Sequence, residues 1–204
     1  VGGTGPKDVH GTSRPVDEFD VKADAEAVLA AMGAPAKVQI LRGAADWWNP
    51  GRQGMICLGP KKVLGVFGEL HPKVVSAMGI KGAAMAFTLW PHEVPVPKKT
   101  KSTRPALDMH DLQAVERDFA FVVAADVEAA VLVNAAAGAD KALIEDVRVF
   151  DEFIGGSLGD GQKSLAITVR LQPTETTLKE ADIEAVSARI VDKVAKATGG
   201  VLRG

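Results

Sequence analysis

The sequence predicts an α+β protein of two domains, the second built in the order β-α-β-β-α-β. Its clearest feature is residues 143–173, where two runs of alternating apolar and polar residues flank a glycine-rich stretch. Alternation with period two is typical of strands that bury one face, and such glycines favour a hairpin turn. Runs of helical and strand spacing lie on both sides of this hairpin. A proline- and lysine-rich stretch at residues 95–110 predicts a linker between this domain and a first one.

The first domain is predicted at residues 16–94, after an irregular segment at residues 1–15 that is rich in Gly, Thr, Ser and Pro. An apolar stripe of helical spacing, which Gly33 ends, predicts its first helix. The stripe comprises Ala25, Val28, Leu29 and Met32. The elements predicted next are a strand at 38–41, a turn at 47–52, paired strands at 55–58 and 63–70, a short helix opened by His71 and Pro72, and a strand at 83–90.

The second domain is predicted at residues 111–204. It begins with an alternating strand at 116–123, and Asp126 is expected to cap the helix that follows. After the hairpin, Thr177 and Glu180 fit the capping box of a last helix. Its apolar stripe is Ile183, Val186, Ile190 and Val194, and Gly199 ends it before a short strand at 201–203. This order predicts the ferredoxin-like pattern of four antiparallel strands with two helices on one face.

The net charge of −2 conceals an uneven distribution of charge along the 204 residues. Residues 1–110 carry 14 Lys+Arg and 10 Asp+Glu, a net charge of +4. Residues 111–204 carry 10 Lys+Arg and 16 Asp+Glu, a net charge of −6. An acidic second domain argues against strong nonspecific binding to nucleic acid, which normally requires a basic excess.

The single cysteine, Cys57, excludes an internal disulfide and favours a reducing, cytoplasmic setting. No apolar run approaches the length of a membrane span, so we expect no membrane partner. The chain begins without an initiator Met or an apolar signal core. We therefore expect a fragment or a processed chain.

The motifs of common catalytic and metal sites are missing from the sequence. The glycines at 155–161 lie between two strands, whereas a phosphate-binding loop joins a strand to a helix. The four histidines show no metal-ligand spacing, and no G-x-S-x-G supports a nucleophilic serine. We therefore predict neither a catalytic residue nor a metal. Trp47, Trp48 and Arg52 could line a ligand site, but packing of the tryptophans in the core or against another subunit is the favoured interpretation.

Two sets of motifs resemble one family. ERDFAFVV, VRVFDEFIGG, GQKSLAITVRLQ, TLKEADIEAV and GGVLRG resemble the ferredoxin-fold anticodon-binding domain that ends the β subunit of bacterial-type phenylalanyl-tRNA synthetases. DEFDVKADAEAVLAAMG, WWNPGRQG and VLGVFGELHP resemble the end of the class II synthetase-like, non-catalytic module that precedes it. The resemblance covers roughly residues 16–204.

The resemblance implies a partial β subunit whose partners are tRNA(Phe) and an α subunit, in a heterotetramer of two α and two β chains. It implies that ATP and magnesium serve the complete enzyme, and that this fragment holds no cofactor and no catalytic site. Two departures stand out. Val115 and Glu116 precede Arg117 where the family usually has a proline, and Asn49 stands where its PGR turn often has histidine.

The predicted tRNA-binding surface is the uncovered face of the second sheet. A four-stranded sheet with one open face can stack unpaired bases on aromatic side chains and meet phosphates with basic ones. The candidate residues are Arg148, Phe150, Ser164, Ala166, Thr168, Arg170 and Arg203. Lys98, Lys99, Lys101 and Arg104 in the linker are expected to add phosphate contacts.

Two other functions stay open at this point. A regulatory ferredoxin-like domain would bind a small molecule at an interface and would have no affinity for RNA. A small enzyme of the acylphosphatase kind would need a catalytic asparagine beside a phosphate-cradling arginine. The predicted position of Asn134 in the middle of a helix disfavours that enzyme.

Overall fold

A computed structural model describes residues 2–5, 9, 11, 13–43, 45–96, 109–156 and 158–203. The chain divides into two compact units, Val1–Arg104 and Pro105–Gly204. Each unit holds a four-stranded antiparallel sheet, which confirms the predicted α+β class. Of the predicted linker, residues 97–108 lie outside the described residues, and with them all four of its cations. Within the described ranges, no helix combines the length and the apolar character that crossing a membrane requires.

The first unit is a meander of strands with one helix packed against it. Its elements are α1 Glu18–Ala31, β1 Gln39–Leu41, β2 Trp48–Leu58, β3 Lys62–Leu70, α2 Pro72–Ala77 and β4 Met85–Leu89, followed by a 3-10 turn at Pro91–Glu93. The strands pair in the order β1-β2-β3-β4. The core forms where α1 meets the sheet, and its buried members are Val21, Ala25, Leu29, Ile56, Leu64, Phe67 and Val94.

The N-terminal end of α1 is held by a reciprocal cap. Asp17 accepts hydrogen bonds from the N–H groups of Phe19 and Asp20, and the Asp20 carboxylate accepts the N–H of Asp17. These bonds satisfy N–H groups that the first turn leaves without helical partners. Of the apolar stripe predicted for α1, Ala25 and Leu29 are buried, whereas Val28 and Met32 are 40% and 37% exposed. Val21 lies in the core in their place.

The turn predicted at residues 47–52 is wrong, because these residues from Trp48 onward belong to β2. The register with β3 shifts between Trp48 and Gln53, and Gly51 has a φ of 81°. Such an irregularity lets a strand accommodate Pro50, which cannot donate to a regular ladder. The short helix at His71 is confirmed, since the His71 side chain accepts the N–H of Lys73 at 3.1 Å.

The second unit has the predicted β-α-β-β-α-β order. Its elements are β5 Val115–Ala124, α3 Ala129–Ala137, β6 Ile144–Ile154, β7 Gln162–Leu171, α4 Glu180–Thr198 and β8 Val201–Leu202. The strands pair in the order β6-β7-β5-β8, all antiparallel, so the ferredoxin-like prediction is confirmed. Side chains of both helices share one core with one face of the sheet, and its central members are Phe121, Leu132, Ala136, Leu165, Ile167, Val169, Val186, Ile190 and Val194.

Both predicted helix caps in this unit are wrong, although the helices exist. The residue that precedes α3 is Glu128, not Asp126. At α4, the Asp182 side chain accepts the N–H of Lys179 at 3.0 Å, so the cap begins two residues after Thr177. The predicted apolar stripe of α4 is buried throughout, and Gly199 ends the helix with a φ of 68°. That left-handed conformation is the one for which glycine is preferred.

Candidate nucleic-acid interface

The face of the second sheet opposite α3 and α4 is here called the open face. On β7 it carries Ser164, Ala166, Thr168 and Arg170, because the alternate residues Leu165, Ile167, Val169 and Leu171 are buried in the core. Their register partners on β5 are Val122, Ala120, Asp118 and Glu116. Their register partners on β6 are Phe153, Asp151, Arg148 and Asp146. Side chains that are paired across antiparallel strands lie on the same face, so these residues form four rows.

The rows divide the open face into two chemically different ends. The small-residue end comprises Phe153, Ser164 and Val122 in one row and Asp151, Ala166 and Ala120 in the next. The acidic end comprises Arg148, Thr168 and Asp118 in one row and Asp146, Arg170 and Glu116 in the last. Uncharged small side chains therefore concentrate at one end of the face and carboxylates at the other.

A bulge in β6 changes which aromatic residue lies in these rows. Val149 pairs with Ile167 and Asp151 with Ala166, so Phe150 has no register partner. The extra residue shifts the alternation, and Phe153 becomes the residue opposite Ser164. The register therefore places Phe153 in these rows, whereas Phe150, the predicted residue, lies in the bulge without a register partner. Simple alternation cannot reveal an inserted residue.

Arg203 follows β8, at the edge of the sheet opposite β6, and its side chain extends to the ring of Phe153. The N–H of Arg203 donates to the carbonyl of Ala120 at 2.7 Å, which places this residue beside β5 next to the row of Ala166. Its guanidinium carbon lies 5.7 Å from the centroid of the Phe153 ring. A cation at this distance from an aromatic ring is attracted by the electrons of the ring face. The two side chains therefore meet over the small residues between them.

Two of the predicted residues are less accessible than expected. Ser164 is 4% exposed and Thr168 is 9% exposed, although an open face was predicted for both. They lie on β7, which has a neighbouring strand on each side, so their short side chains lie below longer neighbours. The Thr168 hydroxyl donates to the Asp118 carboxylate at 2.7 Å. Ala166 is half-buried, while Arg148 and Phe150 are exposed.

Arg170 is exposed but already paired. Its Nε donates to Oε2 of Glu145 at 2.7 Å, and its Nη1 lies 3.5 Å from Oε1 of Glu116. The hydrogen bond that Arg170 donates to Glu145, together with the negative charge of that carboxylate and of Glu116, raises the pKa of the Arg170 guanidinium above its ordinary value. Glu145 lies on β6 and Glu116 on β5, the two neighbours of β7, so the Arg170 guanidinium links three adjacent strands.

In the first unit, Trp47 and Trp48 both line a cavity of about 950 Å³, whereas Arg52 is not among its lining residues. Trp48 is buried and Trp47 is exposed. Arg52 instead donates to the buried Glu69 carboxylate at 2.6 Å, and the Asn49 amide donates to the same carboxylate at 3.1 Å. Asn49 therefore supplies a donor at the position where the family often has histidine. Among the described residues, no group of three or more His, Cys, Asp or Glu could hold a metal ion.

The two units match two adjoining family models. Residues 1–90 match the phenylalanyl tRNA synthetase beta chain CLM domain, and residues 111–203 match the ferredoxin-fold anticodon binding domain. A phenylalanine–tRNA ligase beta subunit of Ruegeria pomeroyi is 79% identical over all 204 residues. The chain belongs to the phenylalanine–tRNA ligase beta-subunit family. Phenylalanine–tRNA ligase beta subunits of Cereibacter sphaeroides and Brucella abortus are also similar, the first 63% identical over 100% of this chain and the second 51% identical over 95% of it.

Members of this family are much longer than the chain described here. The chain covers 26% of the Ruegeria and Cereibacter proteins and 24% of the Brucella protein. It spans about a quarter of the length of the curated relatives that it matches. The strand order and the matched domain both confirm the ferredoxin-like fold that was predicted for the second domain.

Proposed function

We propose that the chain is the part of a phenylalanine–tRNA ligase β subunit that binds the anticodon region of tRNA(Phe) and helps to scaffold the enzyme. In the complete enzyme, phenylalanine is joined to tRNA with ATP and magnesium. An α subunit would complete the cytoplasmic assembly, in a heterotetramer of two α and two β chains. Within this chain, residues 16–94 would form the scaffolding module, 95–110 the linker and 111–204 the anticodon-binding domain.

The observation that carries this proposal is the small-residue end of the open face. The ring of Phe153 is 41% exposed and lies in the row of Ser164 and Val122, and a flat base that stacks on it would enter between the ring and the Arg203 guanidinium. Unpaired bases, such as those of an anticodon loop, bind proteins by stacking on aromatic rings and by hydrogen bonds to their edges. The exposed Asp151 offers carboxylate oxygens in the next row, and Arg203 offers a guanidinium that can stack on the second face of a base.

Stacking also explains how an acidic domain can bind RNA. The attraction of a base to an aromatic ring does not depend on a basic excess, since every base has a π face. Arg148 and Arg203, at opposite edges of the sheet, remain the proposed phosphate contacts. Arg170 is the weakest of the proposed contacts, because two carboxylates already hold its guanidinium.

The test compares two phenylalanines of one strand. Phe153→Ala should weaken binding of the tRNA(Phe) anticodon stem–loop by about 1–3 kcal/mol, the range for loss of one base–aromatic stack. Phe150→Ala removes a ring of the same size from the bulge and should leave the affinity within about twofold of wild type. Fluorescence anisotropy of a labelled stem–loop measures both. Equal losses for the two variants would refute the stacking site, and a wild-type chain without RNA affinity would favour the small-molecule alternative.

A further inference from the structure

The acidic end of the open face is unusual for a surface that faces RNA. Glu116, Asp118 and Asp146 lie in its rows, and Glu145 lies in a second bulge of β6 beside them. These four carboxylates face two guanidinium groups, those of Arg148 and Arg170. The small-residue end has one carboxylate, Asp151, and the guanidinium of Arg203. The net negative charge of the open face is thus concentrated at one end.

Two of the donor side chains at this end, those of Arg170 and Thr168, are already in use. Glu145 and Glu116 hold Arg170 from both sides, at 2.7 and 3.5 Å. The Thr168 hydroxyl donates to Asp118. A phosphate that bound Arg170 would have to displace a carboxylate from it and would approach the remaining carboxylates closely. Like charges brought together at an interface oppose binding and suppress incorrect partners.

We infer that the acidic end is a specificity element, whose carboxylates keep the RNA backbone off the row of Arg170 and so fix the register of the anticodon loop at the small-residue end, leaving Arg148 on β6 as the phosphate contact of that half. This inference rests on the proposed function. Adjacent rows are two residues apart, roughly 6.8 Å along the strands. Without repulsion at one end, a loop could shift along the sheet by a row and still find small side chains and a guanidinium. A repulsive element against the shifted complex gives discrimination without any added attraction for the correct one.

The experiment removes charge from the acidic end while keeping its hydrogen-bond acceptors. The double variant Glu116→Gln with Glu145→Gln leaves side-chain oxygens that can still accept from Arg170. Its binding is measured to the tRNA(Phe) anticodon stem–loop and to a stem–loop with the same stem and a scrambled loop. We expect affinity for the scrambled loop to rise more than affinity for the tRNA(Phe) loop, so that their ratio falls by about threefold or more. Each new phosphate contact should steepen the dependence of log K on log salt by about 0.7.

The matched control removes two negative charges from the other side of the sheet. Glu184→Gln with Asp192→Asn changes exposed residues of α4, whose buried residues pack on the core face. This control has the same net charge as the test variant, so it measures the general effect of charge on RNA binding. Circular dichroism verifies that both double variants are folded.

The outcomes separate the inference from the proposed function. If the test variant keeps the wild-type affinity ratio, or changes it no more than the α4 control does, the specificity role is refuted while anticodon binding stands. If the wild-type chain binds both loops equally or binds neither, the proposed function fails and this inference fails with it. A lower ratio in the test variant alone supports the role of the acidic end.

Discussion

The buried ion pair in the first unit gives a prediction whose size follows from the structure. Glu69 is 7% exposed, and its carboxylate accepts from Arg52 at 2.6 Å and from Asn49 at 3.1 Å. Removal of one partner from a fully buried ion pair costs roughly 3–5 kcal/mol, because the remaining charge stays buried without compensation. The Arg52 side chain is 51% exposed, so water already screens part of this pair. We therefore expect Arg52→Met to lower the free energy of unfolding of this unit by about 2 kcal/mol.

Tryptophan fluorescence is the appropriate assay, since Trp47, Trp48 and Trp90, all the tryptophans of the chain, lie in the first unit. Urea titrations followed at this signal report the unfolding of that unit alone. Lys62→Met is the matched control, because it breaks a pair of half-exposed side chains, Lys62 and Glu93, 3.4 Å apart. Pairs of this kind contribute about 0–1 kcal/mol. The double variant Arg52→Met with Glu69→Leu removes both charges and should recover most of the loss.

Two outcomes would contradict the prediction for Arg52→Met. A loss below about 0.5 kcal/mol for Arg52→Met, equal to that of Lys62→Met, would mean that solvent screens Glu69 despite its burial. A double variant no more stable than Arg52→Met would mean that the cost does not arise from Glu69, but from lost packing of the arginine stem or from the Glu18 carboxylate, which lies 3.6 Å from Arg52.

Two further predictions concern the independence of the units and the cap of α1. Phe121→Ala, at a fully buried position of the second unit, should lower the stability of that unit by about 3–5 kcal/mol, as seen by circular dichroism. The urea midpoint from tryptophan fluorescence should stay unchanged, and a parallel shift would contradict separate folding. The hydrogen bond from Arg14 lowers the pKa of Asp20 from 3.8 to about 2. A depressed carboxyl pKa stabilises the fold above the unfolded value and loses that contribution as pH falls through the folded value. The stability difference between wild type and Asp20→Asn should therefore be complete above about pH 4 and vanish near pH 2, and a difference independent of pH would contradict it.

Local patterns were enough to predict most elements and the ferredoxin-like order. The stripe of α4 was correct because four apolar residues at helical spacing leave only one face that can be buried. The hairpin was correct because β7 alternates without interruption from Ser164 to Leu171. In both elements the apolar pattern alone determines the buried face, and neither depends on residues far away in the chain.

The errors have a different origin, because they occur where the pairing partner determines the outcome. Nothing in the local sequence of β6 indicates that Phe150 is the inserted residue. The register between β6 and β7 identifies Phe150 as inserted and determines the position of Phe153. In the same way, Pro50 and Gly51 have the composition of a turn, yet pairing of the flanking residues with β3 keeps them within β2. The commitment of Arg170 to two carboxylates depends on the second bulge, which brings Glu145 beside it. A sequence can therefore indicate that a sheet has an open face, but which side chains are available to RNA on that face depends on the register of its strands.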